Sequence, residues 1–177
     1  MIRSFQGIHP QIDPTAFIAE TAVIVGDVHI GKESSIWYNV VVRGDVNFIR
    51  IGDRTNIQDL SMLHVTHKKA PDDPGAPLII GDDVTVGHSV TLHGCTIGNG
   101  AFIGMQAIIM DRVIVGEGAL VGARALVTEG TVIPPHTLWV GAPAKYKREL
   151  SPDEIASFGK SAGNYVRYAS QYRDDSG

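Results

Sequence analysis

Ile97-Gly98-Asn99-Gly100-Ala101-Phe102-Ile103-Gly104-Met105-Gln106-Ala107-Ile108-Ile109 places a branched aliphatic residue at every sixth position: Ile97, Ile103 and Ile109. Outward toward the C-terminus the same step reaches Val115, Val121, Val127 and Ile133. Toward the N-terminus, one five-residue step leads to Leu92, then Val86 and Ile80. A longer insertion separates Ile80 from Leu63, Ile57 and Ile51. Three extra residues lie between Val42 and Ile51, and from Val42 steps of six run back through Ile36, Ile30, Ile24, Ile18 and Ile12. The residue four places later is Ala, Val, Ser or Thr throughout, except after Leu63, where it is His67. A repeat of this length is read before any local pattern. Period six does not fit an amphipathic helix. It fits a short strand plus a bend, with the aliphatic residue inward, its successor outward, and a small residue at a tight corner. Three such hexads close a triangular coil of about 18 residues, and coils stack in parallel about 4.8 Å apart.

Hexapeptide repeats of this kind resemble the left-handed parallel β-helix family, an all-β solenoid. The left hand comes from that resemblance, because crossovers are otherwise right-handed. The repeat fades near Leu138. Ser151-Pro152-Asp153-Glu154 then has the form of a helix start, with Ser151 as cap, Pro152 in the first turn and Glu154 closing a capping box. Ile155, Phe158, Ala162, Tyr165, Ala169 and Tyr172 form one apolar stripe, so the helix is expected to pack along the solenoid. The expected organisation is a β-helix over 1–147 and a C-terminal helix with a short tail over 148–177, the tail Asp174-Asp175-Ser176-Gly177 being disordered.

Composition narrows the function. The formal charge is −4 with no basic cluster, which argues against nucleic acid and acidic membranes as partners. The single cysteine, Cys95, excludes an intrachain disulfide. No apolar run approaches a membrane span, and Met1–Gly7 has no signal-peptide core, so a cytoplasmic protein is expected.

The chemistry appears where the repeat breaks. Four of the seven histidines, His64, His67, His88 and His93, fall between residues 64 and 93. Leu63 to Ile80 is 17 residues instead of six, so the inserted loop contributes 11. His64 and His93 lie 29 apart, and removing 11 leaves 18, one full coil. Both follow an inward residue, so both point outward, stacked closely enough to share a metal. His88 is 24 beyond His64, or 13 without the loop, which puts it on the next face. A rigid solenoid cannot swing it round, but a second chain packed about a threefold axis supplies it. The same register sets Arg43 one coil below His64 and Asp59 one coil below His88, with Gln58 and Asp45 nearby. Arg43, Asp45 and Asp59 are read as an ion-pair network between subunits.

Arg43-Gly44-Asp45, Asn56-Ile57-Gln58-Asp59, His64, Val86-Gly87-His88, Leu92-His93-Gly94 and Asn164-Tyr165-Val166 together resemble the γ-class carbonic anhydrase family, nearest its bacterial carbonic-anhydrase-like branch. The resemblance implies a homotrimer with metal sites between subunits and reversible conversion of CO2 to bicarbonate. It implies His64, His88 and His93 as ligands, Gln58 as the residue orienting water or substrate, and Tyr165 beside the pocket. Three histidines suit Zn2+, and also Fe2+ or Co2+. The archaeal prototype exports protons through an acidic loop. Here His67 stands where the prototype has an acid, on a proline-rich loop over 68–77, so His67 is the candidate relay. The competing readings are a hexapeptide-repeat acyltransferase or thioesterase-like enzyme, and a non-catalytic scaffold holding a structural metal.

Overall fold

Each hexad folds as its period demands. Most strands are two or three residues long. Every repeat position from Ile24 to Ile133 is buried, and Ile12 and Ile18 on the opening coil are half-buried. The computed structural model, which describes residues 1–175, stacks these strands in parallel. Ile103 lies beside Val121 and Ile109 beside Val127, each one 18-residue coil apart. Leu63 lies beside Leu92 across the inserted loop. The chain is a left-handed parallel β-helix with one C-terminal helix.

Three faces follow. The first carries Met62–His64, Thr91–His93, Ile108–Ile109 and Leu126–Val127. The second carries Leu78–Ile80, Thr96–Ile97, Ile114–Val115 and Val132–Ile133. The third runs from Phe17–Ile18 through Ser35–Ile36, Asn56–Ile57, Thr85–Val86 and Phe102–Ile103 to Leu120–Val121. The long strand Val41–Ile51 bends from the first face to the second. Its register slips between Gly26 and Val28 on the coil below, which is where its three extra residues are absorbed.

The small-residue rule needs correcting at this corner. Val46 and His67 are exposed and Thr96 is half-buried. The inward corner column is instead Val28, Ile49, Leu78, Cys95 and Val113, each two residues before the next aliphatic position. Insertions and the five-residue step shift the corner residue while leaving the column intact. At the corner between the second and third faces, side chains fix the register. Asp53 Oδ1 accepts from the Lys32 amide at 2.7 Å, Asp82 Oδ1 from Asp53 at 2.8 Å, and Asn99 Oδ1 from Asp82 at 3.0 Å.

The parallel stack ends with Thr137–Val140, which turns into an antiparallel strand, Lys145–Glu149. A boundary at 147 therefore cuts an element that the hexad count does not see. The helix is Pro152–Asp175. Its capping box forms as read: Ser151 Oγ accepts from the Glu154 amide at 3.2 Å, and Glu154 Oε2 accepts from the Ser151 amide at 2.9 Å. Asp174 and Asp175 continue the helix, contrary to the expected loose tail; Ser176 and Gly177 lie outside the described residues. The helix crosses the third face against the coil order, Phe158 stacking on Phe102, Tyr165 on Trp37 and Tyr172 on Phe17. Phe158, Ala162 and Ala169 are buried beneath it, so packing offsets the helix-weakening Gly159 and Gly163. Among the described residues no helix is long and apolar enough to cross a membrane.

Candidate metal centre

His64 and His93 occupy the same column of the first face, paired in register. His64 Nδ1 and His93 Nε2 face each other at 3.1 Å. The far nitrogen of each ring meets a carboxylate: His64 Nε2 lies 3.1 Å from Asp45 Oδ1, and His93 Nδ1 lies 2.5 Å from Asp111 Oδ1. Burial works to raise the pKa of both acids. For Asp45 the hydrogen bonds from Arg43 and His64 outweigh it, and for Asp111 those from Thr66 and His93 do, so both sit below the usual value. Ionised carboxylates only accept, so the proton of each neutral ring is held on the far nitrogen. The facing nitrogens then present two lone pairs to one another, a contact that only a shared proton or a bound cation satisfies. Burial, opposed by Asp45, holds the His64 pKa below its ordinary value and favours the neutral, ligating form. Nitrogens bound at about 2.0–2.1 Å to a tetrahedral zinc-type ion stand roughly 3.3 Å apart, close to the spacing present. Carboxylates that orient ligating imidazoles in this way recur around protein metal sites.

His88 stands apart. It lies in the turn joining the third face to the first, rather than on a flat face, and precedes Ser89, whose φ of 57° turns the chain at the corner. Its Nδ1 is 2.8 Å from Asp59 Oδ2, one coil below as the register requires, which leaves Nε2 available. Among the described residues of one chain, no three His, Cys, Asp or Glu side chains converge on a point.

The remaining candidates scatter. Arg43 Nη1 donates to Asp45 Oδ2 at 2.7 Å within its own chain, so Asp45 links Arg43 to His64. Gln58 is buried, its amide nitrogen donating to Asn56 Oδ1 at 3.0 Å. His67 is exposed where the inserted loop begins. Tyr165 packs edge-on against Trp37 under the helix, beside Asp59. Asp111 and Thr66 escaped the sequence reading. Asp111 follows His93 by 18 residues, but the five-residue step shortens that coil to 17, so the column continues from Leu92 to Ile109 and Asp111 stands one place beyond the position above His93. Thr66 Oγ1 donates to Asp111 Oδ2 at 2.6 Å. Asn47 fastens the loop by donating to the carbonyls of Thr66 and Pro74, at 3.0 and 2.9 Å. Replacing Asp111 with asparagine is expected to weaken metal binding about 10- to 100-fold without unfolding the stack, the usual effect of removing an orienting partner. Metal titration of the variant checks this, and unchanged affinity would make Asp111 a loop anchor only.

The fold and the carboxylate-backed histidines define a hexapeptide-repeat β-helix with a candidate metal centre. The family model of bacterial transferase hexapeptide repeats (six repeats) matches residues 94–129. A carbonic anhydrase from Geobacillus kaustophilus is 49% identical over 173 residues, 98% of this chain and 91% of that protein. Gamma carbonic anhydrase 1 of Arabidopsis thaliana mitochondria is 48% identical over 160 residues, 90% of this chain and 58% of that one. A hexapeptide transferase family protein from Anaplasma phagocytophilum superposes with a TM-score of 0.91 at 44% identity, covering 97% of this chain and 98% of the other. The chain belongs to the γ-class carbonic anhydrase family.

Proposed function

We propose that the protein is a homotrimeric, metal-dependent enzyme interconverting CO2 and bicarbonate. His64 and His93 of one subunit and His88 of its neighbour hold a divalent ion such as Zn2+, with Fe2+ or Co2+ as alternatives. The carrying observation is that each of the three histidines has one nitrogen engaged by its own aspartate, Asp45, Asp111 and Asp59, and the other nitrogen left for a ligand. One chain brings two donors together and a catalytic site of this kind uses three. Exposed Leu60, Met62, Met105, Ile108 and Met110 flank the first face and its corner, the surface that such an assembly covers.

When bound, the ion supplies Lewis acidity that brings the pKa of water near neutrality. Asp45, Asp111 and Asp59 hold the imidazoles in the ligating tautomer. Asn56 fixes the Gln58 amide, and Gln58 orients the reacting water or CO2. His67 at the loop entrance takes the released proton to solvent, a task suited to imidazole near neutral pH. Hydration is expected to be slow in dilute buffer and to rise with added imidazole. His67→Ala lowers the dilute-buffer rate further, imidazole restores part of it, and metal content stays the same. Stopped-flow rates independent of buffer in both proteins would remove His67 from the proton path. Acyl transfer, which the hexapeptide description invites, leaves three aspartate-backed histidines without a role; tight coenzyme A binding would favour it.

A further inference from the structure

Beside the helix, and separate from the His64/His93 face, a cavity of about 360 Å³ is lined by Trp37, Tyr38, Asp59, Tyr165, Tyr168 and Tyr172. Five of these six residues are aromatic and the sixth is an acid. The rings do not stack flat. Trp37 meets Tyr165 at 79° and Tyr172 at 88°, Tyr38 meets Tyr172 at 63°, and Tyr165 meets Tyr168 at 78°. Near-perpendicular rings present a mixture of faces and edges around a space, the arrangement by which aromatic walls surround a cation. The volume falls within the range of small-molecule sites.

Among the described residues Asp59 is the only charged group that lines the cavity. Burial, and then the nearby Glu20, Tyr172 and Asp59, push the Tyr38 hydroxyl above its ordinary pKa. Burial, Asp59 and Tyr168 do the same to Tyr165. A cation already uses one of these rings, since the Arg167 guanidinium rests over Tyr168 at 5.3 Å. A neutral apolar ligand gains nothing from Asp59, and an anion is repelled by it. A primary amine carries three donors that need acceptors, and beside the tyrosine hydroxyls the only charged acceptor lining the cavity among the described residues is Asp59, already bonded to His88. A methylated ammonium needs none, draws on the ring faces, and is attracted by the carboxylate.

The geometry points to this cavity as a binding site for a small quaternary ammonium compound. The cavity adjoins the metal centre at Asp59, which also bonds His88.

Trp37 and Trp139 are the only tryptophans, so a Trp139→Phe protein reports on Trp37 alone. Choline chloride titrated into this protein is expected to give a saturable change in Trp37 fluorescence. Its neutral isostere 3,3-dimethylbutanol is expected to bind about tenfold more weakly or not at all. Tyr168→Leu and Asp59→Asn are each expected to weaken choline about tenfold. Circular dichroism confirms that both variants fold, and choline-dependent shifts of Tyr ring resonances give a second readout. Equal binding of the isostere, a fluorescence change reproduced by sodium chloride, or no saturation by either method would overturn the assignment. Metal content is measured in parallel, because Asp59→Asn also removes the partner of His88, whereas Tyr168→Leu leaves that bond in place.

Discussion

His88→Ala is expected to abolish metal binding as completely as His64→Ala or His93→Ala, although His88 lies at a corner away from the other two. Losing a ligand outright costs more than losing its orienting partner, so affinity should fall by well over about 100-fold. His29→Ala and His136→Ala should keep full occupancy. His29 faces outward on the second face between Gln11 and Arg50, and His136 sits in a corner turn with φ of 59°. Metal analysis of the five purified variants decides the matter, and full occupancy in His88→Ala would end the shared-site reading. Coexpression gives a sharper test. A His64→Ala chain still offers His88, and a His88→Ala chain still offers the His64/His93 pair. Random mixing of the two in a threefold ring should rebuild ~one site in four. Separately purified variants have none. Failure to recover metal in mixed trimers would place all three ligands within one chain.

The second large effect concerns the backbone beneath the site. Gly26 has φ of 79°, and a Cβ added there would lie 2.3 Å from the Gly44 carbonyl oxygen and 3.3 Å from the Asp45 amide nitrogen. Gly26→Ala therefore carries a left-handed backbone cost of about 1–2 kcal/mol. It also forces two coils apart, which adds roughly 1–3 kcal/mol. Gly100→Ala shares the first cost only, because its φ is 63° and nothing lies within 4 Å. Urea unfolding should show Gly26→Ala less stable than Gly100→Ala by a margin of roughly 1–3 kcal/mol. Metal affinity should fall in Gly26→Ala alone, since the displaced strand carries Asp45, which orients His64. Equal midpoints and equal affinities would mean that the coils tolerate the added methyl.

Much of this was legible in the residues because a solenoid converts sequence distance into spatial distance. The hexad count alone sets His64 over Arg43 and beside His93, and Asp59 beneath His88. It failed where the count changes. The step from Leu92 to Ile97 drops a residue, so in the true register Asp111 falls one place past the His64/His93 column and the column does not announce it. The insertions after Val42 and Leu63 moved the corner residue from Val46 and His67 to Ile49 and Leu78. Arg43, expected in an ion-pair network between subunits, also reaches Asp45, two residues away on its own strand. Strand alternation puts residues i and i+2 on one face, a local effect that a coil-to-coil register overlooks. The strand Lys145–Glu149 has no hexad and an exposed composition, so no periodicity announces it.

The helix returns to the coil that carries Phe17. Tyr172 packs on Phe17 and Trp37, and Arg173 Nη1 donates to the Thr15 carbonyl. A linear array can peel from either tip, each unit held only by its neighbour. Here the helix, which follows every coil in the sequence, fastens the coil around Phe17. That coil lacks its cover while the later coils are made and gains it when the helical turn carrying Tyr172 docks. A truncation near residue 165 would uncover Phe17, about 150 residues away in sequence.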